Sequence, residues 1–296
     1  RYSFFSRNYD RVERTGMVES ADPTNMTLTL ARDGIFPITR DGDGNPLPHL
    51  PASGLNIPGT IQGEGKLNGI PSLFVRLAGC NLHCRWQTDE GYVSACDTAY
   101  AAYAVKNSFS LSVENVYKTL QRNAGNIRHI VITGGEPFLQ AGALQKLCGL
   151  LKKDGYHLTI ETNATLFDAA LASWIDLFSL SPKLKSSVPL PPFQEIHERN
   201  RLNPEIIQDF IGFARRNHKD FQLKFVYAAE KDIEEIQKLL SSVQGWKNED
   251  ILLMPLGSHA EELRRNMHSV LEHCIRNGWR YCDRLHISLF GSKQGV

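Results

Sequence analysis

His129-Ile-Val-Ile-Thr-Gly-Gly-Glu-Pro137 is an apolar run that stops on two glycines, and a helical period over Ala141 to Asp154 and a second apolar run over His157 to Thr162 follow it. Strand, helix, strand at this spacing means two parallel strands joined by a right-handed crossover. The alternation repeats in both directions. Ser72 to Ala78, Leu177 to Leu180, Leu223 to Val226, Ile251 to Met254 and Leu285 to Phe290 read as further strands. Val113 to Arg122, Phe167 to Ile175, Pro204 to Asn217, Lys231 to Ser242 and His259 to Asn277 read as helices. Asn203 ahead of Pro204-Glu205, and Ser258 with Glu261 three residues on, are helix-start signals. The expected fold is α/β, an incomplete TIM-like barrel, with chemistry at the carboxyl ends of its strands.

Upstream the pattern changes. Residues 1–56 mix Asp-Gly, Asn-Pro and Pro-His-Leu-Pro turn signals with a single strand-like run, Met26 to Ala31, and are expected to form an extension packed on a core of residues 57–296. The opening arginine suggests that an initiator segment precedes it. Composition is that of a globular enzyme, 42% hydrophobic and 22% charged, and a formal net charge of +1 gives no electrostatic case for nucleic acid or membrane. No apolar run approaches the roughly 20 residues a bilayer requires, and the cytoplasm is the expected compartment.

Three of the six cysteines cluster: Cys80-Asn-Leu-His-Cys84-Arg-Trp86, then Cys96-Asp-Thr98. Two thiolates four positions apart on one loop can face a single centre, and a third can return to it, leaving one iron of a cluster without a protein ligand. Gln87 to Ala95 reads as a surface loop inserted between ligands; without it the string has C-x3-C-x2-C spacing. A structural zinc site with His83 as fourth ligand, in a non-enzymatic binding module, is the alternative. Cys148, Cys274 and Cys282 lie far from this loop and read as buried apolar groups. The two glycines after Thr133 suit a backbone that approaches a ligand closely. Gly59 to Lys66 imitates a phosphate loop, but its first glycine is out of place and Leu67 stands where a hydroxyl is needed.

Taken in order, Ile61-Gln-Gly-Glu-Gly65, Arg76-Leu-Ala-Gly-Cys80, Cys96-Asp-Thr98, Thr133-Gly-Gly-Glu-Pro137, Glu161-Thr-Asn163, Ser181-Pro-Lys183, Lys224-Phe-Val226, Met254-Pro255 and Leu285-His-Ile-Ser-Leu-Phe-Gly291 resemble the 7-carboxy-7-deazaguanine synthases, radical S-adenosylmethionine (SAM) enzymes of queuosine and 7-deazapurine biosynthesis. The chain departs from the short form of that family in its N-terminal extension and in the insertion before Cys96. A glycyl-radical activating enzyme shares the cysteine and Gly-Gly-Glu elements but lacks Ile-Gln-Gly-Glu-Gly and Cys-Asp-Thr.

The resemblance implies conversion of 6-carboxy-5,6,7,8-tetrahydropterin to 7-carboxy-7-deazaguanine with loss of ammonia and catalytic use of SAM. It makes Cys80, Cys84 and Cys96 the ligands of a 4Fe-4S cluster and Thr98 a ligand of Mg²⁺. Ile61, Gln62, Gly63, Arg76, Thr133 and the carboxyl-terminal Val296 fall to the pterin. Gly135, Ser181, Pro182, Lys183 and Lys224, Phe225, Val226 and Tyr227 fall to SAM. Implied partners are an electron donor such as flavodoxin and a second subunit in a homodimer.

Overall fold

The computed structural model describes residues 26–87, 91 and 93–296. The first 25 residues of the expected extension, and residues 88–90 and 92 of the expected insertion, lie outside the described residues. In chain order the strands are β1 (Thr27–Phe36), β2 (Thr60–Ile61), β3 (Pro71–Leu77), β4 (Arg85–Gln87), β5 (Val93–Ala95), β6 (Phe109–Ser112), β7 (His129–Gly134), β8 (His157–Thr162), β9 (Leu177–Leu180), β10 (Asp220–Tyr227), β11 (Ile251–Pro255) and β12 (Arg280–Tyr281). The helices are α1 (Ala99–Ala102), α2 (Val113–Ala124), α3 (Ala141–Lys153), α4 (Ala169–Ala172), α5 (Gln194–Asn200), α6 (Pro204–Arg216), α7 (Lys231–Ser242), α8 (Ala260–Asn277) and α9 (Leu285–Phe290).

One sheet organises them, in the order β12-β11-β10-β9-β8-β7-β3-β1-β6, with β2 paired to β3. From β3 to β12 every neighbouring pair is parallel. β1 runs antiparallel to both β3 and β6. Among the described residues the sheet has two free edges, so the architecture is an incomplete barrel of parallel strands and not a closed one.

Along the parallel strands successive side chains face opposite ways. Leu73, Val75 and Leu77 of β3, Ile130 and Ile132 of β7, Leu158 and Ile160 of β8, and Phe221, Leu223 and Phe225 of β10 share one buried apolar core with the amphipathic faces of α2, α3, α6 and α7. The intervening residues face the other way and turn polar toward the carboxyl ends: Arg76, Thr133, Glu161 and Lys224 all line one cavity there. The expected start of α6 is as read, Asn203 Oδ1 accepting from the Glu205 and Ile206 amides at 3.1 and 3.2 Å.

Four expectations are corrected. Leu285 to Phe290, read as a strand, is helix α9; the last parallel strand is the short β12, and beyond it the Leu285 amide donates to Gly63 O at 2.9 Å. A short apolar run carries no decisive period between strand and helix. The helix expected over Phe167 to Ile175 shrinks to α4, whose start is fixed by Asp168 Oδ1 accepting from the Leu171 amide at 2.7 Å. At α8 the residue that closes the start is Glu262, not Glu261: its Oε2 accepts from the Ser258 amide and hydroxyl at 2.6 and 2.8 Å. Gln87 to Ala95 is not simply a loop, because its ends pair as a β4–β5 hairpin in the register Arg85↔Ala95, Trp86↔Ser94, Gln87↔Val93. The strand-like run at Met26 extends as β1 to Phe36 across a bulge between Leu30 and Ile35. Among the described residues no helix is long and apolar enough to cross a membrane.

On the inner face His129 joins three strands, Nδ1 meeting Ser72 Oγ at 2.7 Å and Nε2 meeting Thr159 Oγ1 at 2.8 Å. Burial, with His157 adding to it, pushes the His129 imidazole down to about 4. A histidine kept neutral in the fold contributes stability that is present above its unfolded value and lost as pH falls toward the folded one. His129 is therefore expected to withdraw about 2 kcal/mol between pH 7 and pH 5. Its ring carbon proton, followed by NMR, should titrate near 4, and titration near 6.5 would refute this.

Candidate active site

The loop that follows β3 carries Cys80 and Cys84, and the β4–β5 hairpin carries the chain back so that Cys96 stands beside them. The three cysteines pack against Leu82, Trp86, Val226, Ala228 and Leu256 and line the same cavity of about 630 Å³. That volume is within the ordinary range for a ligand site. Burial raises all three thiols, Cys80 to about 12 with Glu136 as second cause, and Lys183 is the cation that opposes the rise in each case. Thiolates are the metal-binding form, so loading a metal here releases protons. Among the described residues no three His, Cys, Asp or Glu side chains converge closely enough to hold a metal ion.

Behind Cys80 lies a connected polar network. Glu136, fully buried, accepts from the Phe138 amide (3.1 Å), the Thr162 hydroxyl (2.7 Å) and the Asn163 amide (2.8 Å). Burial pushes its carboxyl up to about 7 even so. Asn163 Nδ2 donates to Asn81 Oδ1 at 2.8 Å, and Asn81 Nδ2 donates to Thr165 Oγ1 at 2.8 Å. The glycines before Glu136 have a purpose that the sequence did not suggest. A Cβ on Gly134 (φ 136°) would lie 2.2 Å from Leu77 O, and one on Gly135 would lie 1.9 Å from Gly79 O. They admit the backbone of the cysteine loop; both also line the cavity.

A second network lines the same cavity. Glu64 accepts from Lys224 Nζ and from Arg284 Nε (2.8 Å), and Arg284 Nη2 reaches Asp97 Oδ2 at 2.5 Å. Burial alone would raise Glu64, but Lys224 and Arg284 outweigh it and hold the carboxyl well below the usual range. Glu161 accepts from Gln62 Nε2 at 3.1 Å and from the Thr133 hydroxyl at 2.7 Å. Arg76 donates through Nε to Asp33 Oδ2 at 2.7 Å, with the Phe36 ring centroid 4.9 Å from its Cζ. Thr98 occupies the N-cap position of α1 without a capping bond, its hydroxyl lying 3.4 Å from Cys96 Sγ.

Of the residues singled out from sequence, Ile61, Gln62, Gly63, Arg76, Thr133 and Val296 line this cavity with the three cysteines and Thr98, as do Gly135, Ser181, Lys183, Lys224 and Val226. Pro182, Phe225 and Tyr227 do not; the rings of Phe225 and Tyr227 belong to the apolar core on the opposite side of β10. His83 is also elsewhere, stacked between Phe193 (4.0 Å) and Tyr103 (5.0 Å), which removes the fourth ligand of the zinc reading. Lys66 of the apparent phosphate loop is committed to Asp220 and Asp250 at 2.7 and 2.8 Å. Cys148, Cys274 and Cys282 are buried away from the three clustered thiols. Asp33, Glu136, Asn81 and Arg284 carried no signal that singled them out, although Glu136 stood next to the glycines.

A cysteine-lined site at the carboxyl ends of an incomplete parallel barrel defines a class, and residues 75–243 match the radical SAM superfamily. The chain is 34% identical over 265 residues to a 7-carboxy-7-deazaguanine synthase of Halobacterium salinarum, covering 84% of this chain and 92% of that protein. It is 32% identical over 239 residues to the synthase of Rhodopirellula baltica, covering 79% and 85%. In fold it is similar to the crystal structure of QueE from Escherichia coli, with a TM-score of 0.56 at 22% identity over 90% of this chain and 100% of the other. The chain belongs to the 7-carboxy-7-deazaguanine synthase family of radical SAM enzymes. The superfamily implies a 4Fe-4S cluster and SAM, and three clustered thiols, Cys84 buried and Cys80 and Cys96 half-buried, lining one cavity beside a side-chain-free Gly-Gly segment fit that pair.

Gly135→Ala is expected to cost about 3 kcal/mol by forcing the cysteine loop off the sheet, and to lower iron bound per chain on reconstitution. A variant that melts and loads iron like the parent would refute the close-approach argument.

Proposed function

We propose that the enzyme converts 6-carboxy-5,6,7,8-tetrahydropterin to 7-carboxy-7-deazaguanine with release of ammonia, in a Mg²⁺-assisted ring contraction that consumes no SAM. The observation that carries this reading is the polarity of one cavity: three thiols at one part of its wall, and Arg76, Gln62, Thr133 and Glu161 at another. Bound together, the cluster and SAM supply a carbon radical that removes one hydrogen from the pterin and returns one after rearrangement.

The protein's own part is placement, charge and exclusion of water. Arg76 offers the substrate carboxylate a planar fork, since among the described residues its guanidinium is hydrogen-bonded only through Nε. Glu161, held by Gln62 and Thr133, is an acceptor suited to the amino-pyrimidinone edge of a pterin, and Ile61, Gly63 and Val296 complete that wall. Thr98 supplies the hydroxyl oxygen a hard cation takes together with substrate oxygens. Lys183, Ser181, Gly135, Lys224 and Val226 serve SAM, with Pro182, Phe225 and Tyr227 restricted to backbone contacts. A one-electron donor of the flavodoxin type, a cytoplasmic homodimer and a product that feeds 7-deazapurine synthesis belong to the same reading.

The test is an anaerobic assay of reconstituted enzyme with SAM, dithionite, Mg²⁺ and the carboxypterin, followed by mass spectrometry. The parent should form 7-carboxy-7-deazaguanine, and Cys96→Ala neither product nor 5′-deoxyadenosine. Arg76→Ala should still cleave SAM but show a KM for the pterin raised roughly 10- to 100-fold, the worth of a charge-assisted hydrogen bond. SAM cleavage by the parent with the pterin left intact would refute the substrate.

A further inference from the structure

We propose that Asp33 is a positioning residue for recognition of the substrate carboxylate, holding Arg76 by Nε so that the terminal nitrogens of its guanidinium remain for the ligand. The proposal rests on the reading that Arg76 binds that carboxylate. Asp33 lies 43 residues before Arg76, in the bulge of β1. Its Oδ2 accepts from Arg76 Nε and from the Tyr100 hydroxyl, both at 2.7 Å. The side chains of Asp33 and Arg76 are only 10% and 14% exposed.

An ion pair built for stability alone would be bidentate, each carboxylate oxygen meeting one N–H of the fork. Here one oxygen serves two donors, while Oδ1 is buried with no hydrogen-bond partner among the described residues. A buried acceptor left unmade is a net loss, so the arrangement is poor as a clamp and effective as a one-sided hold. The rest of the setting restricts the fork further. Phe36, three residues on in β1, covers one face of the guanidinium and is itself stacked on Phe74 at 5.2 Å and 12°. Arg32 of the same strand bonds Gln294 in the carboxyl-terminal tail, so β1 also fixes the wall that ends in Val296. Because Asp33 is negative, it weakens the pull of Arg76 on a carboxylate, and its contribution is therefore orientation and not charge.

The experiment is fluorescence titration of the SAM-loaded, cluster-reconstituted enzyme with 6-carboxypterin and with pterin lacking the carboxylate. The parent should prefer the carboxylated ligand. Asp33→Ala should lose at least about tenfold of that preference, as should Asp33→Leu, which keeps the volume and serves if the alanine variant does not fold. Asp33→Asn, whose amide oxygen still accepts from Nε and Tyr100, should stay within about threefold of the parent. SAM cleavage without substrate should not change in any of them. A parental preference that survives in Asp33→Ala or Asp33→Leu, or equal weakening of both ligands, overturns the proposal alone. No preference in the parent overturns the Arg76 reading and the proposal with it.

Discussion

Two backbone hydrogen bonds, Gly135 N to Leu77 O at 3.1 Å and Glu136 N to Gly79 O at 2.8 Å, seat the end of β7 against the start of the cysteine loop. They can form only because neither Gly134 nor Gly135 has a Cβ. From this seam the Glu136 carboxylate reaches the turn after β8, and Asn163 returns to Asn81, the neighbour of Cys80. Three successive parallel-strand ends are thereby locked to the loop that carries the thiols. A buried carboxylate with every partner a donor is stable only as long as all three partners stay in place, so the network specifies one arrangement of the loop.

The wall built on Glu64 depends on contacts across the whole chain. Glu64 to Lys224 spans 160 residues, Glu64 to Arg284 spans 220, and Arg284 to Asp97 spans 187. Buried ion pairs of this kind add little net stability once desolvation is counted, and their best-supported value is in fixing one geometry. The site thus depends on distant segments in a way that the sheet does not: the parallel strands need only their neighbours, whereas this wall needs the segment before β3, Lys224 of β10 and the segment after β12 together.

What was legible in the sequence follows the same division. β8, β9 and α7 were readable to the residue because their apolar period is unbroken and their ends are marked. The cysteine cluster stood out by its spacing and the Gly-Gly pair by its want of side chains, whereas Thr133 was reached only through the family resemblance; the structure adds that all of them line one cavity. Long-range partners were not legible. Asp33-Gly34 interrupts the alternation of β1 and looks like a turn, yet it is the bulge that delivers Asp33 to Arg76. Leu285 to Phe290 misled because a six-residue run of mixed apolar character carries too few residues to separate a strand period from a helical one. Phe225 and Tyr227 show the limit of carrying a motif over as a block: in a strand only alternate side chains share a face, so Lys224 and Val226 reach the cavity and their neighbours the core.

β1 and the β4–β5 hairpin each bring residues to the same cavity. The hairpin resolves a geometric difficulty, because eleven residues separate Cys84 from Cys96 and only pairing of Arg85 with Ala95 brings the two cysteines together again. It also buries Trp86 against Leu82 and Leu256, with Lys183 5.9 Å from the indole ring. That apolar wall raises the thiols and Lys183 opposes the rise, so a metal bound there would supply the charge that displaces their protons. β1 in turn holds Arg76 through Asp33 and the carboxyl-terminal tail through Arg32. The core sheet sets where the cavity lies, and these two segments set much of what faces into it.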